Sequence, residues 1–288
     1  MTTPPTFLDL PPDLADPKRA RYVVLPVPYE GTVSYAAGTA AGPAAIIAAS
    51  AQVELYDEEL GAECVAAGVA TLPPVEPADD PAAMMDRVRA AAEPLMRDGR
   101  FALTLGGEHS ITVPLVAAAT EAFGEVSVLH VDAHADLRQS YGGTPHSHAA
   151  VMRRVLEITP HLVQVGIRSV SKEEAEACPE QVARFMTPDM VEDDPNWVAR
   201  ALERLGERVY VTVDMDGLDP SVAPGVGTPE PGGLSWRQVL GLLRRVAAER
   251  EVVAADVVET CPIPGQPLTE FVAARLAYKI IAYTQGPR

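Results

Sequence analysis

The chain has 288 residues, 47% of them hydrophobic, which suits one large domain with a sizeable core. Its formal net charge of −17 makes nucleic acid and anionic lipid poor partners and favours a cationic one. It has no run long enough to span a bilayer, no basic and apolar leader, and an odd set of scattered cysteines, Cys64, Cys178 and Cys261. Those features predict no membrane contact, a cytoplasmic location and buried free thiols rather than disulfides or a cysteine-rich metal site.

Residues 1–20 are Pro-rich and acidic and read as an N-terminal extension; residues 21–288 read as one catalytic domain. Apolar, β-branched runs predict strands at 22–27, 101–105, 126–131, 162–167, 209–213 and 252–258. Helical patterns lie between them, near 43–51, 82–98, 112–122, 149–158, 195–205, 235–249 and 269–284. Ser235 and Thr269 are placed to cap the last two. Strand–helix alternation predicts an α/β fold with a mostly parallel sheet covered on both faces. Such sheets carry their sites beyond the carboxyl ends of the strands.

Polar clusters follow four of the strands. Gly106-Gly107-Glu108-His109-Ser110 comes after the second, and Asp132-Ala133-His134-Ala135-Asp136 after the third. Asp214-Met215-Asp216 follows the fifth, and Glu259 the sixth. Asp132, His134 and Asp136 stand at i, i+2 and i+4, one face of an extended chain, about 6–7 Å apart per step. Asp214 and Asp216 repeat that spacing, and His109 adds a second imidazole. Two His and four Asp exceed what one ordinary ion with open positions needs. Two divalent ions would balance the four carboxylates, which would otherwise repel one another. Carboxylate bridges would hold the pair roughly 3.5–4 Å apart, the spacing of two-metal hydrolases. An oxygen-rich set with two imidazoles favours Mn(II).

At these residues the sequence resembles the ureohydrolases, the arginase and agmatinase family. The resemblance runs through GGEHS at 106–110, VDAHADLR at 131–138 and VDMDGLDPSVAPGVGTPEPGGL at 213–234. It also includes Asp256-Val257-Val258-Glu259 and the early Gly38–Pro43 and Val53–Tyr56 segments. It implies a three-layer α/β/α arginase-like fold, two Mn(II) ions per subunit and a homo-oligomer, trimer or hexamer. By motif position, His109, Asp132, Asp136 and Asp214 would hold one ion and His134, Asp132, Asp214 and Asp216 the other. Glu259 would bind the guanidinium group. His148 would transfer protons, with His146 close by in the same loop. Glu108 stands where many members have Asp, and Ala40 where many have Arg.

The expected chemistry is hydrolysis of a guanidinium, a poor electrophile, by water activated at the metal pair. Asp136 would orient that water, Glu259 would grip the substrate through a charge-assisted pair, and His148 would protonate the leaving amine. Thr228 is placed to contact a substrate N–H or to serve as a turn hydroxyl. Arginases typically have Asn where this chain has Arg138, and the loop 139–147 is unlike theirs. The expected substrate is therefore agmatine, giving putrescine and urea. The alternatives are aminopropylagmatine, giving spermidine and urea, another guanidine or formimino substrate, or an inactive metal-binding homologue.

Overall fold

The computed structural model describes residues 5–285. Among the described residues nine strands form in chain order: β1 (Tyr22–Val27), β2 (Tyr56–Asp57), β3 (Ala62–Glu63), β4 (Val69–Thr71), β5 (Phe101–Gly106), β6 (Ser127–Val131), β7 (Leu162–Val165), β8 (Arg208–Asp214) and β9 (Glu251–Val258). β2 and β3 make a small antiparallel hairpin. The other seven form one sheet in the order β4-β1-β5-β9-β8-β6-β7. Every pairing in that sheet is parallel. Parallel neighbours need crossovers, and the intervening helices supply them while burying both faces.

Alternation of side chains along each strand sorts the core into two halves. On one face Leu103, Leu129, Val131, Val211, Val213 and Val257 pack with the helices Gly42–Ser50, Trp236–Glu249 and Leu268–Gln285. On the other, Val23, Ala102, Val128, Tyr210 and Ala254 pack with the helices Pro81–Arg97, Thr112–Phe123 and Val151–Val155. The architecture is thus α/β/α.

The expected strands are present with ends shifted by at most two residues; the helix expected near 149–158 is α-helical only over Val151–Val155, and one expected cap differs. Ser235 closes a capping box with Gln238 as its pattern predicts. Thr269 is not the cap of the last helix, which begins at Leu268; its buried hydroxyl accepts the Gly225 N–H at 2.7 Å instead. Where it is described, the stretch before β1 packs against the fold. Phe7 and Leu8 are buried, and their N–H groups donate to Thr71 Oγ1 and Ser50 Oγ. All three cysteines are buried free thiols. Among the described residues no helix is long and apolar enough to cross a membrane.

Candidate metal centre

The carboxyl ends of β5, β6, β8 and β9 meet around one cleft of about 160 Å³. His109, His134, Asp136, His148, Asp214, Asp216, Thr228 and Glu259 line it, and Asp132 is buried against its floor. His146 is not among the lining residues.

The deepest feature is an imidazole facing oxygen. His109 Nδ1 lies 3.0 Å from Asp132 Oδ2, 3.2 Å from Asp214 Oδ2 and 3.4 Å from Asp136 Oδ2. Its other nitrogen, Nε2, is 2.9 Å from Thr212 Oγ1, and that hydroxyl donates its proton to Asp256 Oδ1 at 2.6 Å. Thr212 can therefore only accept from His109, so the neutral ring carries its proton on Nε2. Nδ1 then presents a lone pair to three carboxylate oxygens, and among the described residues it has no hydrogen-bond partner. Four acceptor atoms facing one another with no proton between them are destabilising unless a cation lies there. The donor set fits a divalent metal ion.

A second group adjoins the first. His134 Nδ1 lies 3.0 Å from Asp216 Oδ2 and 3.5 Å from Asp132 Oδ1. Ligand atoms of Asp132, His134 and Asp216 fall within 4.8 Å of one another, as do those of His109, His130, Asp132 and Asp136. Asp132 belongs to both groups and turns one oxygen to each, the geometry a bridging carboxylate needs. Asp214 Oδ1 accepts the Asp216 N–H at 2.8 Å, which fixes the pair of acids at the end of β8.

Without an ion, protons must relieve the repulsion. Burial, reinforced by neighbouring carboxylates, raises Asp214 well above the usual carboxylate range and Asp136 to about 7. Burial opposes protonation of His109 and His134, yet the acids beside them raise both, His134 to about 12. Burial lowers His148 to about 4, so its ring is neutral at pH 7. Glu259, also pushed up by burial, accepts the His109 backbone N–H at 2.7 Å.

Asp136 and Glu259 share a backbone signature. They have φ of 55° and 62°, and among the described residues only Leu8 and Asp9 are other non-glycine positions with positive φ. Left-handed backbone is disfavoured for such residues and persists where surroundings enforce it. Asp136 is held by Met152 and Arg153 N–H donors to its carbonyl, and Glu259 by its own N–H to Gly107 O. Gly107 lies so near Tyr29 that an added Cβ would meet the Tyr29 carbonyl oxygen at 2.0 Å.

The cluster and its fold have counterparts among known proteins. The model of the Arginase family matches residues 20–282. The chain belongs to the arginase family. It is 41% identical over 273 residues to an N(1)-aminopropylagmatine ureohydrolase of a Synechocystis species, covering 92% of this chain and 89% of that one. An agmatinase of Bacillus anthracis is 34% identical, with 85% of each chain covered. The crystal structure of an agmatine ureohydrolase of Thermoplasma volcanium superposes with a TM-score of 0.89 at 34% identity, covering 99% of this chain and 95% of that one. The protein is an arginase-family ureohydrolase, a hydrolase of agmatinase type.

Within this ureohydrolase several residues matter that motif reading passed over. His130 lies beneath Asp132 on β6, with Nε2 2.7 Å from Asp132 Oδ2, while Gln164 donates to its Nδ1 at 3.0 Å. Gln164 also donates to the Ala135 carbonyl and accepts from Gln181, which fixes its amide orientation. His130 therefore donates from Nε2 to Asp132. Arg168, half-buried, donates to the carbonyls of Asp216, Glu230 and Pro231 and so ties the loop after β8 together. The signal for His130 and Thr212 was present: each stands two residues before a candidate ligand, hence on the same strand face.

Proposed function

We propose that this ureohydrolase cleaves the guanidinium group of aminopropylagmatine to spermidine and urea. The observation that carries the chemistry is the convergence of the unpartnered His109 Nδ1 with three carboxylates on the floor of a cleft that also holds Glu259. The amine length rests on the closer likeness to the Synechocystis aminopropylagmatine enzyme than to the Bacillus agmatinase. Agmatine, giving putrescine, is the second reading, favoured by the agmatine ureohydrolase structure.

His109, Asp132, Asp136 and Asp214 would hold one Mn(II), and His134, Asp132, Asp214 and Asp216 the other. When bound, a pair of divalent ions lowers the pKa of water from about 15.7 toward about 7. Asp136 orients the attacking water from its enforced backbone position. Glu259 grips the guanidinium by a charge-assisted hydrogen bond and holds its carbon within reach. His148, neutral at rest, carries a proton to the departing amine. Thr228 donates to Asp216 Oδ2 at 3.3 Å, which leaves its lone pairs to accept a substrate N–H. The net charge of −17 suits a cationic guanidine and disfavours nucleic acid. The reading includes a cytoplasmic homo-oligomer, trimer or hexamer, without membrane attachment.

Urea release from aminopropylagmatine, agmatine and arginine at matched concentrations with Mn(II) tests the proposal. The expected order of kcat/KM is aminopropylagmatine first, agmatine second and arginine last. Urea from arginine but from neither of the others would overturn it. Glu259→Gln is expected to lower kcat/KM by about 10- to 100-fold, the worth of a hydrogen bond to a charged group, with both metal ions retained. Loss of metal along with activity in that variant would remove Glu259 from substrate binding.

A further inference from the structure

We propose that Glu108 and Thr32 lock His148 in its Nδ1–H tautomer, so that Nε2 is the atom offered to the cleft for proton transfer. The inference rests on the hydrolase reading above and assigns two positioning residues to it.

Glu108 is fully buried at the end of β5. Its Oε2 accepts the N–H groups of Gly31 at 2.7 Å and Thr32 at 2.6 Å; its Oε1 accepts the hydroxyls of Thr32 at 2.8 Å and Ser110 at 2.5 Å. Two of those donors are backbone N–H groups and cannot reverse. Four donors on two oxygens are the surroundings of a carboxylate.

Thr32 has one hydroxyl proton, and it goes to Glu108. Its lone pairs face His148, whose backbone N–H approaches at 3.2 Å and whose Nδ1 lies at 3.0 Å. A lone pair on Nδ1 would oppose a lone pair on Thr32 at that distance. Ser147 Oγ, the other hydroxyl near Nδ1, lies farther off, at 3.5 Å. The nearer contact makes Nδ1 the donor to Thr32, and Nε2 keeps its lone pair. Ser34 Oγ lies 3.5 Å from Nε2 on the cleft side, and Tyr141 packs edge-on to the ring with centroids 5.7 Å apart. The loop carrying Thr32 is also tied at its far end, where Glu30 accepts the N–H groups of Gly38 and Ala40. Thr32 thus has a fixed position from which to orient the ring.

The chemistry requires this tautomer. As water oxygen bonds to the guanidinium carbon, it gives up a proton, and bare Nε2 takes it. As the C–N bond breaks, its electron pair stays on the amine nitrogen, which receives that proton from Nε2. The second proton of the added oxygen leaves as the urea carbonyl forms and passes to the neutral amine, so urea and a protonated amine result, with atoms and charge conserved. A ring carrying its proton on Nε2 at the start could not accept the first transfer.

Three variants and one spectrum test the arrangement. Thr32→Val keeps the shape and removes the hydroxyl. In the Mn(II)-loaded enzyme it is expected to lower kcat by about 10- to 100-fold, part of the range for acid–base catalysis, with KM and metal content within about twofold. Thr32→Ser restores the hydroxyl and is expected to keep kcat within about threefold of the parent. In a His148→Asn background Thr32→Val should have no further effect, because the residues act as one unit. Solid-state NMR of the full-length, zinc-loaded chain with labelled histidine reads the tautomer directly, His148 being the signal lost in His148→Asn. The expected form is Nδ1–H in the parent and a shift toward Nε2–H in Thr32→Val. An Nε2–H ring in the parent, an unchanged tautomer in Thr32→Val, or an equal Thr32→Val effect with and without His148 overturns the proposal. A parent chain that shows the Nδ1–H ring yet releases urea from no guanidine supports the tautomer and removes the hydrolase reading alone.

Discussion

The two faces of the sheet are buried alike but built differently. Toward the C-terminal helix, the strands present apolar side chains such as Leu103, Leu129, Val211 and Val257. Toward the helix Thr112–Phe123, a row of polar side chains crosses five neighbouring strands in register: Thr104, Asp256, Thr212, His130 and Gln164. All five are buried. Two residues further along the same face stand Asp132 and Asp214. The polar row is the layer directly beneath the metal-binding acids, and it holds Asp132 through His130 and His109 through Thr212. One face supplies stability alone; the other uses part of its interior to fix ligand orientation.

Substitutions on the two faces should separate these functions. Leu103→Ala, on the apolar face, is expected to cost about 2–5 kcal/mol of stability, measured by denaturant unfolding, while metal stoichiometry is unchanged. Metal loss in that variant would break the comparison. Asp256→Ala, on the polar face, removes the acceptor for the hydroxyls of Tyr210, Thr212 and Thr112. It frees Thr212 to rotate and is expected to weaken metal retention or turnover by about 10- to 100-fold, read by metal analysis after dialysis and by urea release. Gln164→Ala acts one step further away, through His130, and should have a smaller effect, about 3- to 10-fold on the same measurements. An effect larger than that of Asp256→Ala would reverse the order of importance along the row.

The smallest effect is expected outside both faces. Asp219 accepts from Ser221 N and Oγ and from the Gly232 and Gly233 N–H groups, and these donors lower its pKa from 3.8 to about 2. A lowered folded-state value means its stabilisation is present above about pH 4 and fades as pH falls toward 2. Asp219→Asn should flatten the difference in unfolding midpoint from the parent over that window only. A difference confined to pH 6–8 would contradict the assignment.

The sheet was legible because each long strand is an apolar run closed by a polar cluster. β4 was not, since Val69–Thr71 is three residues long and leads into Leu72-Pro73-Pro74. The short helices Lys172–Ala177, Pro179–Val182 and Pro188–Asp193 lack enough turns to show a period. In the site, the acids and imidazoles declared themselves by spacing along extended chain. Their supports did so only in part. Spacing puts Thr212 and His130 on the ligand face, but not their partners on neighbouring strands, and the link from Glu108 through Thr32 to His148 joins residues 76 and 116 positions apart. Local sequence holds no signal for contacts set by how strands are ordered.

That order has a consequence for synthesis. β9, the last strand made, is inserted between β5 and β8. Without residues 251–258 the sheet lacks the strand that joins the part leading to His109 with the part leading to Asp132, Asp136, Asp214 and Asp216. Because chains emerge N-terminus first, ion capture by the full set must follow threading of this strand into the gap.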